Sequence, residues 1–253
     1  MAIRYIRSLT GRRRTPLANQ HLGFALAFVA GAINAGGFLA VQQYTSHMTG
    51  IVSSMADNAA LGTYDLMLRG ASALLSFIAG AACSAIMVNY SRRRRLHSTF
   101  AVPLLFEAFL LLCFGFLGAR LAAVEGLIVS LTVMLLCFIM GLQNALITKV
   151  SKAEIRTTHI TGIVTDVGIE VGKLLYGYGA IPPEQRRMPA NRARLKILTV
   201  LALSFFAGGV AGAYGFKHLG YIATVPLSLV LGTLAVVPVL DDARRYVRNA
   251  LRR

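Results

Sequence analysis

Two histidines occupy nearly the same eight-residue setting at two places in the chain. Thr45-Ser46-His47-Met48-Thr49-Gly50-Ile51-Val52 returns as Thr157-Thr158-His159-Ile160-Thr161-Gly162-Ile163-Val164, with six of the eight positions identical. A histidine binds an anion when charged, relays a proton, or ligates a metal. Two histidines alone make a poor metal site, and neither a metal nor a cofactor is expected. Thr49 and Thr161 are placed to cap the N–H groups of a following helix. Gly50 and Gly162 let a backbone or a ligand come close. A helix start carries free N–H donors and partial positive charge, so two such ends meeting would favour an anion. The plainer alternative is that Thr-Gly begins a helix and the histidine caps or packs.

The duplication reaches further. Gly31-Ala32-Ile33-Asn34-Ala35 matches Gly141-Leu142-Gln143-Asn144-Ala145, and Leu75-Ser76-Phe77-Ile78-Ala79-Gly80 matches Leu203-Ser204-Phe205-Phe206-Ala207-Gly208. Asn34 and Asn144 are therefore paired candidates for ligand contact, or for amide bonds between helices. The halves also differ. Asp166 and Glu170 stand i,i+4 where the first half has Ser54 and Asn58. They read as a one-sided proton or ion site, or as a solvated helix face. Glu107 stands alone in an apolar run. It is a candidate for proton coupling, or a neutral carboxyl bonded to a neighbouring helix.

These residues are carried by long apolar elements. The chain of 253 residues is 56% hydrophobic and only 14% charged, where a soluble protein carries about a quarter charged residues. Residues 22–41, 70–88, 100–119, 126–147, 197–215 and 219–240 form runs of the length, about 20 residues, that a helix needs to cross a bilayer. The expected fold is all-α and integral to the membrane, with six transmembrane helices in one membrane domain, 1–253. A first repeat covers 22–119 and a second 126–240. The three cysteines fall inside spans without metal or redox spacing, which marks them as packing residues.

A net charge of +16 first suggests nucleic acid. Its distribution argues against that partner. Of 26 basic residues, 23 lie before the first span, at 92–95, between 149 and 196, or after 240. Such alternation orients spans with the basic loops inside. Both basic tails, 1–20 and 241–253, are then cytoplasmic, and the charge meets anionic lipid. Three spans per half is an odd number, so the second half enters the membrane upside down. Repeats of this kind are typical of secondary transporters. The motif segments must then start and end on one face, as re-entrant or interfacial helices. Gly50 to Leu61 is 12 residues, about 18 Å as a helix, too short to span.

Gly31-x-x-Asn34-Ala35, Thr49-Gly50, Gly141-Leu142-Gln143-Asn144-Ala145 and Thr161-Gly162 resemble the YoaK family of bacterial membrane proteins. The resemblance covers roughly residues 22 to 240. It implies a multi-pass protein of the bacterial inner membrane with about six spans, and it brings no substrate and no functional residues, because the family is a domain of unknown function. The residues themselves point to a transporter or channel for a small anionic or zwitterionic solute. Asn34, His47, Thr49, Gly50, Asn144, His159, Thr161 and Gly162 would contact it, and Glu107, Asp166 and Glu170 would couple a proton or ion. The competing reading is a non-transporting scaffold or sensor that binds protein partners. No catalytic constellation is visible, so an enzyme is not expected. A homodimer is compatible with this size, though no interface is specified.

Overall fold

The computed structural model describes residues 5, 9–11, 14–121, 127–151, 157–179 and 191–250. Parts of both basic tails (1–4, 6–8, 12–13 and 251–253) and residues 122–126, 152–156 and 180–190 lie outside the described residues. From Pro16 onward these residues form eight α-helices: α1 (Pro16–Val41), α2 (Met48–Ala60), α3 (Tyr64–Arg93), α4 (Ala101–Leu121), α5 (Leu127–Val150), α6 (Ile160–Gly179), α7 (Arg192–Leu219) and α8 (Thr224–Ala250). The six apolar runs fall on α1, α3, α4, α5, α7 and α8. Both motif helices, α2 and α6, lie between the first and second long helix of their half.

Local chemistry sets the helix ends. Thr15 caps α1 by accepting the Ala18 N–H at 3.2 Å, with Pro16 in the first turn, where its missing N–H costs nothing. Asn191 caps α7 by accepting the Arg194 N–H at 2.9 Å. Asp65 in the first turn of α3 and Arg92 and Arg93 in its last complement the helix dipole.

Among the described residues, five stretches are long and apolar enough to cross a membrane: Pro16–Val41, Tyr64–Arg93, Ala101–Gly118, Ser130–Val150 and Arg192–Tyr246. The last holds 55 residues, which would reach about 80 Å as one straight helix. It is instead broken: Gly220 takes a φ of 59° and a short 3-10 turn, Gly220–Ala223, separates α7 from α8. Large apolar side chains such as Leu75, Ile86, Phe116, Phe206 and Leu229 remain exposed on these helices. Lipid-facing surfaces look like this; water-facing ones do not.

The long helices pair across the two halves. α1 lies against α7, with Phe28 facing Gly208, Gly31 facing Phe205 and Gly209, Ala32 facing Gly212, and Gly36 facing Phe216. Numbers rise together, so the pair is parallel. α3 lies against α5 in the same sense: the Ser76 hydroxyl donates to the Met134 carbonyl at 2.6 Å, Gly80 meets Phe138, and Gly141 meets Phe77. Gly31–Phe205 and Phe28–Gly208 thus recur as Gly141–Phe77 and Phe138–Gly80, at matching positions of the repeat. Gly31 and Gly141 do not break their helices; they let backbones touch, as small residues do between membrane helices.

The remaining pairs are antiparallel. Between α4 and α8, Ser228 donates to the Ala108 carbonyl at 2.8 Å and Gly115 meets Thr224. At the far end of that pair the Asp242 carboxylate accepts the N–H groups of His97 and Ser98. Between α1 and α5, Gln143 donates to the Leu26 carbonyl at 3.2 Å and Gly37 lies under Leu136. α8 contains Pro238, which cannot donate to the carbonyl of Leu234 four residues back. The buried Thr10 hydroxyl supplies that bond at 2.6 Å.

Candidate functional site

The two octets fold alike. In each, the first threonine (Thr45, Thr157) and the isoleucine (Ile51, Ile163) are buried, while the histidine and the threonine two residues after it (Thr49, Thr161) are exposed. Asn34 of α1 accepts the Ser46 hydroxyl at 2.8 Å, and Asn144 of α5 accepts the Thr158 hydroxyl at 2.6 Å. The paired asparagines thus tie each motif back to the preceding long helix. Thr45 and Thr157 are fully buried, and neither hydroxyl has a hydrogen-bond partner among the described residues.

The capping expectation is corrected. α2 begins at Met48 with His47 in the cap position, and no side chain caps it. Thr49 lies one position inside the helix. α6 begins at Ile160 after His159, so Thr161 is likewise inside its first turn. The imidazoles fold back over that turn: a Cβ at Gly50 would collide with the His47 ring, and one at Gly162 with the His159 ring. Glycine stands three residues after each histidine because the ring occupies that space.

A single centre made from both helix starts is not what the chain builds. The motifs sit at opposite ends of the antiparallel α1–α5 pair, in separate cavities. One, of about 550 Å³, lies between the end of α1, α2, the start of α3 and the start of α5; His47, Gly50, Ser54, Asn58 and Arg69 line it. The other, of about 1040 Å³, lies between the start of α1, the end of α5, α6 and the start of α7; Arg14, Asn19, His159, Gly162, Asp166 and Arg194 line it. Thr49, Thr161, Asn34 and Asn144 line neither cavity.

The carboxylates divide as well. Asp166 pairs with Arg194 at 2.9 Å. Glu170 pairs with Lys173 at 2.9 Å and accepts the Asn191 N–H at 2.7 Å. Those bonds hold the Glu170 carboxyl below its ordinary range, the hydrogen bond from Lys173 contributing most. Both acids therefore fasten α6 to the start of α7. In the other half Asn58 bonds Ser54 and Thr63 instead, without charge. Glu107 is fully buried in α4, neither of its oxygens has a partner among the described residues, and it lines neither cavity. Among the described residues no three His, Cys, Asp or Glu side chains gather in one place.

Arg14 escaped notice in the sequence because it closes an arginine run that reads as orienting charge. Its Nε donates to Asn19 Oδ1 at 2.9 Å, and its guanidinium lies 5.2 Å from the centre of the Phe100 ring. The two terminal nitrogens are buried and have no hydrogen-bond partner among the described residues. Burial lowers the guanidinium pKa to about 10, so it stays charged at neutral pH. The available signal was local: Arg14 immediately precedes the Thr15-Pro16 helix start, which fixes where it emerges.

Comparison with known proteins agrees with this helical, apolar architecture. The family described as "Protein of unknown function (DUF1275)" matches residues 22–237. The UPF0700 transmembrane protein YoaK of Bacillus subtilis (strain 168) is 24% identical over 215 residues, covering 83% of this chain and 89% of that protein. No solved structure matches. With the match running from the first long helix into the last, this membrane protein belongs to the DUF1275 family.

Proposed function

We propose that the chain is a transporter or channel for a small anionic or zwitterionic solute, with six spans arranged as two inverted three-helix repeats. The observation that carries this reading is that one octet, used twice, lines a cavity at each of two opposite ends of the bundle. Inverted repeats, with one copy of the unit towards each face, are typical of secondary transporters. Helix directions support it. α1 parallel to α7, α3 parallel to α5, α4 antiparallel to α8 and α1 antiparallel to α5 are all satisfied by six helices that alternate in direction, with α2 and α6 not crossing. The basic residues then gather on one side, taken as the cytoplasmic face of the bacterial inner membrane, with both termini on it.

Uptake into reconstituted vesicles tests the proposal. Phosphate, mono- and dicarboxylates and amino acids form the panel. At least one should enter faster than into protein-free vesicles. The double substitution His47→Ala with His159→Ala should slow it, since both rings line the cavities. Uptake no faster than in protein-free vesicles across the panel would sink the reading.

A further inference from the structure

We propose that the smaller cavity, between the end of α1, α2 and the start of α3, binds an organic carboxylate: the guanidinium of Arg69 takes the carboxylate, and Phe38 and Tyr44 cover its apolar body. This deepens the transport reading and rests on it for the fate of the bound acid, though not for binding itself. Arg69 is one of three basic residues outside the groups that orient the spans. It lines the cavity together with His47, and both side chains are exposed. Asp65 stands four residues before Arg69 but forms no ion pair with it, and among the described residues no carboxylate pairs with this guanidinium. Nor is any Asp or Glu among the described residues that line this cavity. A guanidinium offers two parallel N–H donors in the plane of a carboxylate, so an unpaired one on a concave wall fits that group. The His47 ring carries an N–H in either protonation state and adds a second donor to the same wall.

The rest of the wall decides what the carboxylate is attached to. Phe38 and Tyr44 line the cavity as a stacked pair, with ring centroids 4.5 Å apart. Val41 and Val133 line it as well. Such a wall gains by covering an apolar or aromatic body and gains nothing from inorganic phosphate. A volume of about 550 Å³ lies within the usual size of a small-molecule site. The larger cavity is charged differently. Its exposed guanidinium, Arg194, is already bonded to Asp166 at 2.9 Å. The two cavities share the octet but not an exposed, unpaired guanidinium. The carboxylate site is therefore one-sided, which the repeat alone does not foretell.

The full chain in non-ionic detergent, stripped of lipid, is titrated by calorimetry and thermal unfolding with phenylacetate and isovalerate. Phenylacetamide, which lacks the charge, and acetate and inorganic phosphate, which lack the apolar body, are run beside them. At least one of the two acids should bind more tightly than all three controls. Its affinity should fall at least about tenfold in Arg69→Gln, the scale of a lost hydrogen bond to a charged group. Arg94→Gln removes the same charge outside both cavities and should leave the affinity unchanged. Laurate separates the two sources of such a carboxylate. Tighter binding of laurate than of either small acid, again lost in Arg69→Gln, supports the site with a membrane fatty acid as its occupant. No binding of any of these acids to the wild type overturns the proposal. So does a control that binds as tightly as they do, equal affinity in Arg69→Gln, or an equal loss in Arg94→Gln. Should Arg69→Gln fail to fold, Arg69→Lys decides. It keeps the charge but loses the fork, and an unchanged affinity overturns the clamp. Because binding is read without flux, this site can fail while transport stands, and the reverse.

Discussion

At Gly31, Gly80, Gly141 and Gly208 a Cβ would strike a backbone carbonyl oxygen of the facing helix. A backbone oxygen cannot swing aside as a side chain can, so an added methyl must push two helices apart. Overpacking of this kind costs about 1–3 kcal/mol. Gly168 and Gly172 in α6 are the opposite case, because nothing lies within 4 Å of a Cβ there. Alanine at those positions removes glycine's entropic penalty and gains up to about 1 kcal/mol. Thermal unfolding in detergent should therefore fall for Gly80→Ala and Gly208→Ala and rise for Gly168→Ala and Gly172→Ala. The reverse order would mean that the crossings are drawn in the wrong place. These crossings were legible from the repeat, since glycine recurs at matched positions in apolar runs. The threonine caps were misread for a physical reason: threonine caps better than histidine in general, but here the histidine ring needs the space over the glycine, which moves the helix start two residues earlier.

Pro238 sits inside α8 and orphans the Leu234 carbonyl, and Thr10, from the segment before α1, answers it at 2.6 Å. The pair joins an amino-terminal residue to the last helix, a contact 224 positions apart in sequence. Thr10→Val keeps the shape and removes the donor, leaving a half-buried carbonyl unpaired at a cost of about 1 kcal/mol. Pro238→Ala restores the N–H that a helix interior normally supplies. In the Pro238→Ala background, Thr10→Val should then cost much less than it does alone. Equal losses in both backgrounds, measured by thermal unfolding, would show that the hydroxyl is not serving that carbonyl. Nothing in the local sequence of either residue announces the other, so this link could not be read before the fold was known. Asp166 and Glu170 teach the same lesson. Their i,i+4 spacing gave the shared helix face, but only packing supplied Arg194 and Asn191, which turn them into fasteners between α6 and α7.

Across the whole molecule, the apolar runs and the octets were legible because membrane helices must be long and apolar and because duplication leaves matched residues. Where the octets end up was not. Each half read alone suggests a helix start aimed inward, and only the antiparallel crossing of α1 and α5, with Gln143 on the Leu26 carbonyl, separates the two motifs. That crossing has a consequence for which loops face which side. α3 has 30 residues, about 45 Å as a helix, ample to cross a bilayer. Its start at Tyr64 and its end beside Arg94 should then be on opposite faces. The start of α3 shares its face with the His47 cavity, which Leu66 and Arg69 also line. Tyr246 near the end of α8 should share the face of Arg94, because Asp242 bonds His97 and Ser98. Single cysteines test this in a background with Cys83, Cys113 and Cys137 replaced by alanine. Tyr64 is 63% exposed and Tyr246 79% exposed, so Tyr64→Cys and Tyr246→Cys should both react once the membrane is opened. In intact cells a membrane-impermeant maleimide should label Tyr64→Cys and spare Arg94→Cys and Tyr246→Cys. Labelling of Arg94→Cys from outside would reverse or break the proposed six-span order. With it would go the inversion, because α1 and α5 could no longer carry their octets to opposite faces.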